Sequence, residues 1–169
     1  MKIRMRNLKS LLLIAVFTLG LGGVANAQKM GHIDLEKLVS EMPAAKKLKT
    51  DIEKLSKTYQ NEIESMAKKL DAKIKKYTAE QNNQTKEINE IRAKEVQTDQ
   101  QRYEQLRQTA YQEMQKKNAE GLKPIIEKAQ KALEEVATAK GIIYVFDARG
   151  LLVKKGEDLY DAVKAKLGF

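Results

Sequence analysis

Apolar side chains step along residues 48–77 with helical spacing: Leu48, Ile52, Leu55, Tyr59, Ile63, Met66, Leu70, Ile74 and Tyr77. The set repeats every eleven residues, as in Leu48/Tyr59/Leu70 and Ile52/Ile63/Ile74. Eleven residues in three turns is about 3.67 per turn, close to an unstrained helix, so the seam should run nearly straight. A stiff arm of about 50 Å is expected from roughly 35 residues at ~1.5 Å each. The polar stretch "AEQNNQTKE" (79–87) interrupts the pattern. Asn82 and Asn83 tolerate turns, and Thr85 can cap a new helix with Glu87 in its first turn. These features predict a helical hairpin with its tip at 79–87. One uninterrupted helix is the competing expectation, because no Gly or Pro marks the tip.

The predicted return helix is uneven. Ile88 and Ile91 are expected to pair near the tip, while 92–102 offers only Ala93 and Val96. Tyr103, Leu106, Ala110 and Met114 resume the seam. Leu122, Ile125, Ala129, Leu133 and Val136 then form a stronger apolar face, which should stop at Gly141. Pro124 cannot donate an amide hydrogen and clashes with the preceding turn, so a kink is expected there. The outer arm should be loosely held and the inner end fixed.

Shorter patterns flank the arm. "KMGHID" reads as a strand, followed by the short helix "LEKLVSE" capped by Asp34. "IIYVFD" and "LLV" read as two strands joined by "ARG", and "DLYDAVKAKL" as a final helix with Asp158 as cap and Asp161 in the first turn. The fold class is therefore α+β, with the arm (44–140) inserted in a small β-rich body built from 28–43 and 141–169. A body this small should need reinforcement, and oligomerisation is the route left to a chain without disulfides or a metal cluster. The expected oligomer interface comprises Ile33, Leu35, Leu38, Val39, Ile143, Val145 and Leu152.

Upstream, Lys2, Arg4, Arg6 and Lys9 precede the apolar run "LLLIAVFTLGLGGV" and then "ANA". That order is a secretory signal over 1–27, with an apolar run too short to prefer spanning a bilayer. Its removal takes four of the chain's nine surplus positive charges. The remaining five fall on residues 44–140, with 21 Lys and Arg against 16 Asp and Glu. This is a mild excess, well short of a nucleic-acid footprint. Lys68, Lys69, Lys73, Lys75 and Lys76 form a basic arm patch suited to anionic surfaces, or else an ordinary solvated helix face. The arm's Tyr and Met residues fit a helix seam and also fit adaptable apolar contacts.

Catalytic chemistry is missing from the sequence. There is no Cys for a thiol nucleophile, and the single His32 has no second His or Cys with which to share a metal. No glycine-rich phosphate loop and no Ser with both base and orienting acid are present. No enzyme activity and no cofactor are expected.

"MGHIDLEKLVSEMP", "LKPIIEKAQKALEEVATAKG" and "GIIYVFDARGLLVKKGEDLYDAVKAKL", in that order, resemble the Skp/OmpH family of periplasmic chaperones. The resemblance covers residues 29–168. It implies a homotrimer in which three arms enclose a cavity and hold unfolded outer-membrane β-barrel proteins without ATP. It also implies weak contact with anionic lipid or lipopolysaccharide in some members, for which the 68–76 lysines are a loose analogue without residue-by-residue match. The bottom-up competitors are a coiled-coil rod or spacer of the cell envelope, built from an uninterrupted helix, and a membrane-surface binder. The narrow seam suits the latter poorly.

Overall fold

The computed structural model describes residues 29–169, so the signal segment expected at 1–27 lies outside the described residues. Strand β1 (Lys29–Ile33) leads into helix α1 (Leu35–Glu41). The turn between them is fixed by Asp34, whose carboxylate accepts from the Lys37 amide at 2.9 Å and satisfies one orphan donor of the helix start. Helix α2 (Pro43–Glu80) begins with Pro43 in its first turn, where the missing amide costs nothing. A 3₁₀ turn (Gln81–Asn83) and extended backbone at Gln84 and Thr85 reverse the chain, and helix α3 runs from Lys86 to Ala139. Thr85 caps α3 by accepting from the Ile88 amide. The long helices are thus two antiparallel members of a hairpin, and the uninterrupted-helix alternative is excluded. Gly141 ends the arm with φ +66°, the left-handed conformation that favours glycine after a helix.

Strand β2 (Ile142–Asp147), a 3₁₀ turn (Ala148–Gly150), the two-residue strand β3 (Glu157–Asp158) and helix α4 (Tyr160–Leu167) complete the chain. The sheet order is β2-β1-β3, and both pairings are parallel. Two sequence expectations are corrected here. Leu151–Val153 is not a strand and makes no hairpin with β2; after the 3₁₀ turn the chain crosses to the other edge of β1. Leu152 is fully exposed there, with no neighbouring strand to pair with. Asp158 stands one residue outside the flanking position of α4, which Leu159 occupies, although its carboxylate still accepts from the Tyr160 amide at 2.9 Å. Leu159 is fixed instead by its own amide, which donates to His32 O at 3.0 Å.

The core lies where the ends meet the inner arm. Ile33, Leu38, Val39, Met42, Ile142, Leu159 and Val163 pack with Ile125, Ala129, Ala132 and Ala137 of α3. Alanines on that face let the sheet and α1 approach the helix closely. Ion pairs surround the core: Lys164 with Glu41 at 2.6 Å, Lys166 with Glu135 at 2.8 Å and Lys140 with Glu157 at 2.6 Å. The Lys164 hydrogen bond holds the Glu41 carboxyl below its usual range. The Tyr160 phenol, shut away from water beside that carboxylate, is pushed up to about 12.

Candidate functional site: the arm seam and the uncovered sheet face

Neither α2 nor the first 24 residues of α3 contains a buried residue; the first on α3 is Ala110. The seam is half-buried along its length at Leu48, Ile52, Leu55, Tyr59, Ile63, Met66, Leu70 and Tyr77 on α2, and at Tyr103 and Leu106 on α3. Ile74 is exposed, and Lys73 takes the seam position instead. The reason is an ion pair, because Lys73 Nζ reaches Asp99 Oδ2 across the hairpin. The eleven-residue repeat therefore shortens beyond Leu70, where half-buried positions continue at Lys73, Tyr77 and Glu80.

Polar cross-links dominate this outer third. Tyr77 Oη donates to Glu95 Oε2 at 2.6 Å, Arg92 Nη2 to Glu80 Oε2 at 2.6 Å, and Asn89 Nδ2 to Gln81 O at 3.0 Å. The Arg92 guanidinium also covers the Tyr77 ring, 4.5 Å from its centroid. The hydrogen bond from Lys73 holds the Asp99 carboxyl below its ordinary value of 3.8, and the same bond raises Lys73. Its bond to Glu95 raises Tyr77. With these groups in the seam, the isoleucines expected to pair at the tip turn outward. Ile88 is 39% and Ile91 55% exposed, and Ala93 is exposed as well. The sequence pattern missed Arg92, Glu95 and Asp99 as seam partners because an apolar periodicity search passes over charged residues.

The basic patch is not a free cationic surface. Lys68 pairs with Glu64 at 2.6 Å, Lys75 with Asp71 at 2.8 Å, and Lys73 with Asp99. Lys69 and Lys76 form no ion pair among the described residues. Nearer the body, α3 continues unbroken through Pro124, which has no amide to offer the Glu120 carbonyl. A cleft of about 630 Å³ opens between the helices just above this point, floored by Leu48, Ile52 and Leu55.

The second surface lies on the body. Side chains alternate along a strand, so Met30 and His32 share one sheet face with their partners Tyr144 and Phe146. The opposite face carries Ile33 into the core. Met30, Tyr144 and Phe146 are exposed, as are the neighbouring Ile143, Leu152 and Val153. His32 is 6% exposed, with Nε2 3.8 Å from Asp158 Oδ2, so it is a buried structural residue of the sheet. A cleft of about 600 Å³ beside it is lined by Phe146, Leu151, Val153 and lysines 29, 154 and 155.

The expected interface residues thus fall into three groups. Ile33, Leu38 and Val39 are buried in the chain's own core and present no surface to a partner. Leu35 and Val145 are partly buried against that core. Ile143 and Leu152 are exposed. The register irregularity between the Lys29 and Met30 pairings skips Ile143 and leaves it exposed. Among the described residues, no helix is long and apolar enough to cross a membrane.

A long two-helix arm carried on a small parallel sheet made from both chain ends defines an architectural class. The family model for outer membrane protein (OmpH-like) matches residues 29–167, and the chain belongs to that family. In the same fold is a candidate outer membrane chaperone (OmpH-like) from Caulobacter crescentus CB15, with a TM-score of 0.74, 16% identity and 82% of each chain covered. No curated protein matches the sequence.

Proposed function

We propose that the chain is an ATP-independent holdase of the periplasm, exported by the signal at 1–27, that keeps unfolded outer-membrane β-barrel proteins from aggregating. The observation that carries the reading is the arm itself: a 38-residue helix with no buried residue, held to its partner by a narrow seam. Such an arm contributes little to a core, and its use is reach. Exposed Ile88, Ile91 and Tyr111 supply scattered apolar contacts, each weak enough to release a client without an energy source.

The body supports assembly. Met30, Ile143, Tyr144, Phe146 and Leu152 form an uncovered apolar surface on a unit with a small core, and covering it in a homotrimer would bring three arms around one cavity. Affinity then arises from avidity across the arms. A bend at Pro124 would set how far each arm leans. Lys69 and Lys76 would give the arm weak contact with anionic lipid or lipopolysaccharide.

Static light scattering on the mature chain tests the assembly. A mass of three chains that falls to one on Phe146→Glu supports the proposal. A monomer at all concentrations contradicts it.

A further inference from the structure

Charge alternates across the outer seam. Lys73 on α2 faces Asp99 on α3, whereas Glu80 on α2 faces Arg92 on α3, with the Tyr77–Glu95 hydrogen bond between them. Sliding one helix by a heptad in one direction would set Lys73 against Arg92; the other direction would set Glu80 against Asp99. Either slip brings like charges together, so the pattern selects one register. Further in, Leu55, Tyr59, Ile63 and Met66 give an apolar seam that salt does not weaken.

We propose that the outer third of the arm is an ionic clasp: polar pairs hold it in register, and rising ionic strength loosens it while the inner seam stays shut. The pairs are partly accessible to water, with Lys73 and Asp99 side chains 33% and 25% exposed and Arg92 and Glu80 18% and 38% exposed. Mobile ions therefore compete for them directly. From about 0.1 M to about 1 M salt the Debye length shrinks from about 10 Å to about 3 Å, enough to screen exposed pairs. Apolar contacts do not respond in this way, and that difference makes the two parts of one hairpin separable. Opening would release Leu70, Tyr77 and Val96, the half-buried apolar surface that the clasp covers. The arm would then expose more apolar surface in a salty medium than in a dilute one.

The chain has no cysteine, so labels can be placed cleanly. Thr78→Cys with Lys94→Cys reports the clasp, and Thr58→Cys with Lys117→Cys reports the inner arm, each by spin-label distance distributions. Raising salt should increase the long-distance population of the outer pair by roughly two- to fivefold for each ion pair lost, leaving the inner pair unchanged. Lys73→Glu should open the outer pair at low salt, and Lys73→Glu combined with Asp99→Lys should close it again. Outer distances that ignore both salt and Lys73→Glu would overturn the proposal, as would inner and outer pairs that open together.

Discussion

Leu48 lies directly over the bare Cα of Gly121: a Cβ built on that glycine would come within 2.4 Å of Leu48 Cδ1 and 3.2 Å of Leu48 Cγ. This contact packs α2 against α3 just above the body, beside the cleft that Leu48 floors. Gly121→Leu should force the helices apart and cost about 1–3 kcal/mol by urea unfolding. Gly121→Ala should cost less, because Leu48 can turn its methyl ends aside and alanine gains about 1 kcal/mol of helix propensity over glycine.

Loss of a core side chain should matter far more than loss of a seam side chain. Leu38 and Leu159 are completely buried. Leu38→Ala or Leu159→Ala should destabilise the protein by about 2–5 kcal/mol. Leu55→Ala, on a half-buried seam position, should fall clearly below that range. Denaturant midpoints of the three variants check the order.

Helix starts offer a separate test. Asp34→Ala removes the acceptor for the Lys37 amide and should cost about 1 kcal/mol. Asp34→Asn should retain most of the stability, which thermal unfolding of the two variants can resolve.

Acid should loosen the protein at identifiable places. Asp99, Glu41 and Glu135 are lowered in the folded chain by hydrogen bonds from Lys73, Lys164 and Lys166 respectively. A depressed carboxyl stabilises the fold fully above its unfolded value, and that stability is lost as pH falls through the folded value. Stability should therefore be flat down to the ordinary carboxylate range near 3.8 for Asp99 and 4.5 for the glutamates, then decline below it. Urea midpoints measured across that interval check the sign, and Asp99→Asn should flatten the outer-arm contribution.

The long hairpin was legible in the sequence because its determinants are local. Helical spacing marked α2, Thr85 marked the restart, and Gly141 marked the end. The outer seam was not legible, since Lys73, Arg92 and Asp99 count as solvent-facing in any apolar pattern and acquire meaning only when the hairpin brings them together. Ile74, Ile88 and Ile91 fit the apolar spacing for the same reason and are exposed instead. On the body, β3 is the charged dipeptide Glu157–Asp158, which carries no strand propensity; it is a strand because His32 and Gly31 offer it a parallel edge. The apolar "LLV" fits a strand better and is a loop, with Leu151 half-buried and Leu152 and Val153 exposed. Non-local pairing of this kind, across an arm of nearly a hundred residues, leaves no trace in a short window.

The central claim is holding, and aggregation tests it most directly. An unfolded β-barrel outer-membrane protein, diluted from urea without nucleotide, should stay soluble by light scattering when the mature chain is present at about three chains per client, the avidity-competent ratio. Scattering that rises unchanged at that ratio, from a chain shown to be folded, would contradict the account.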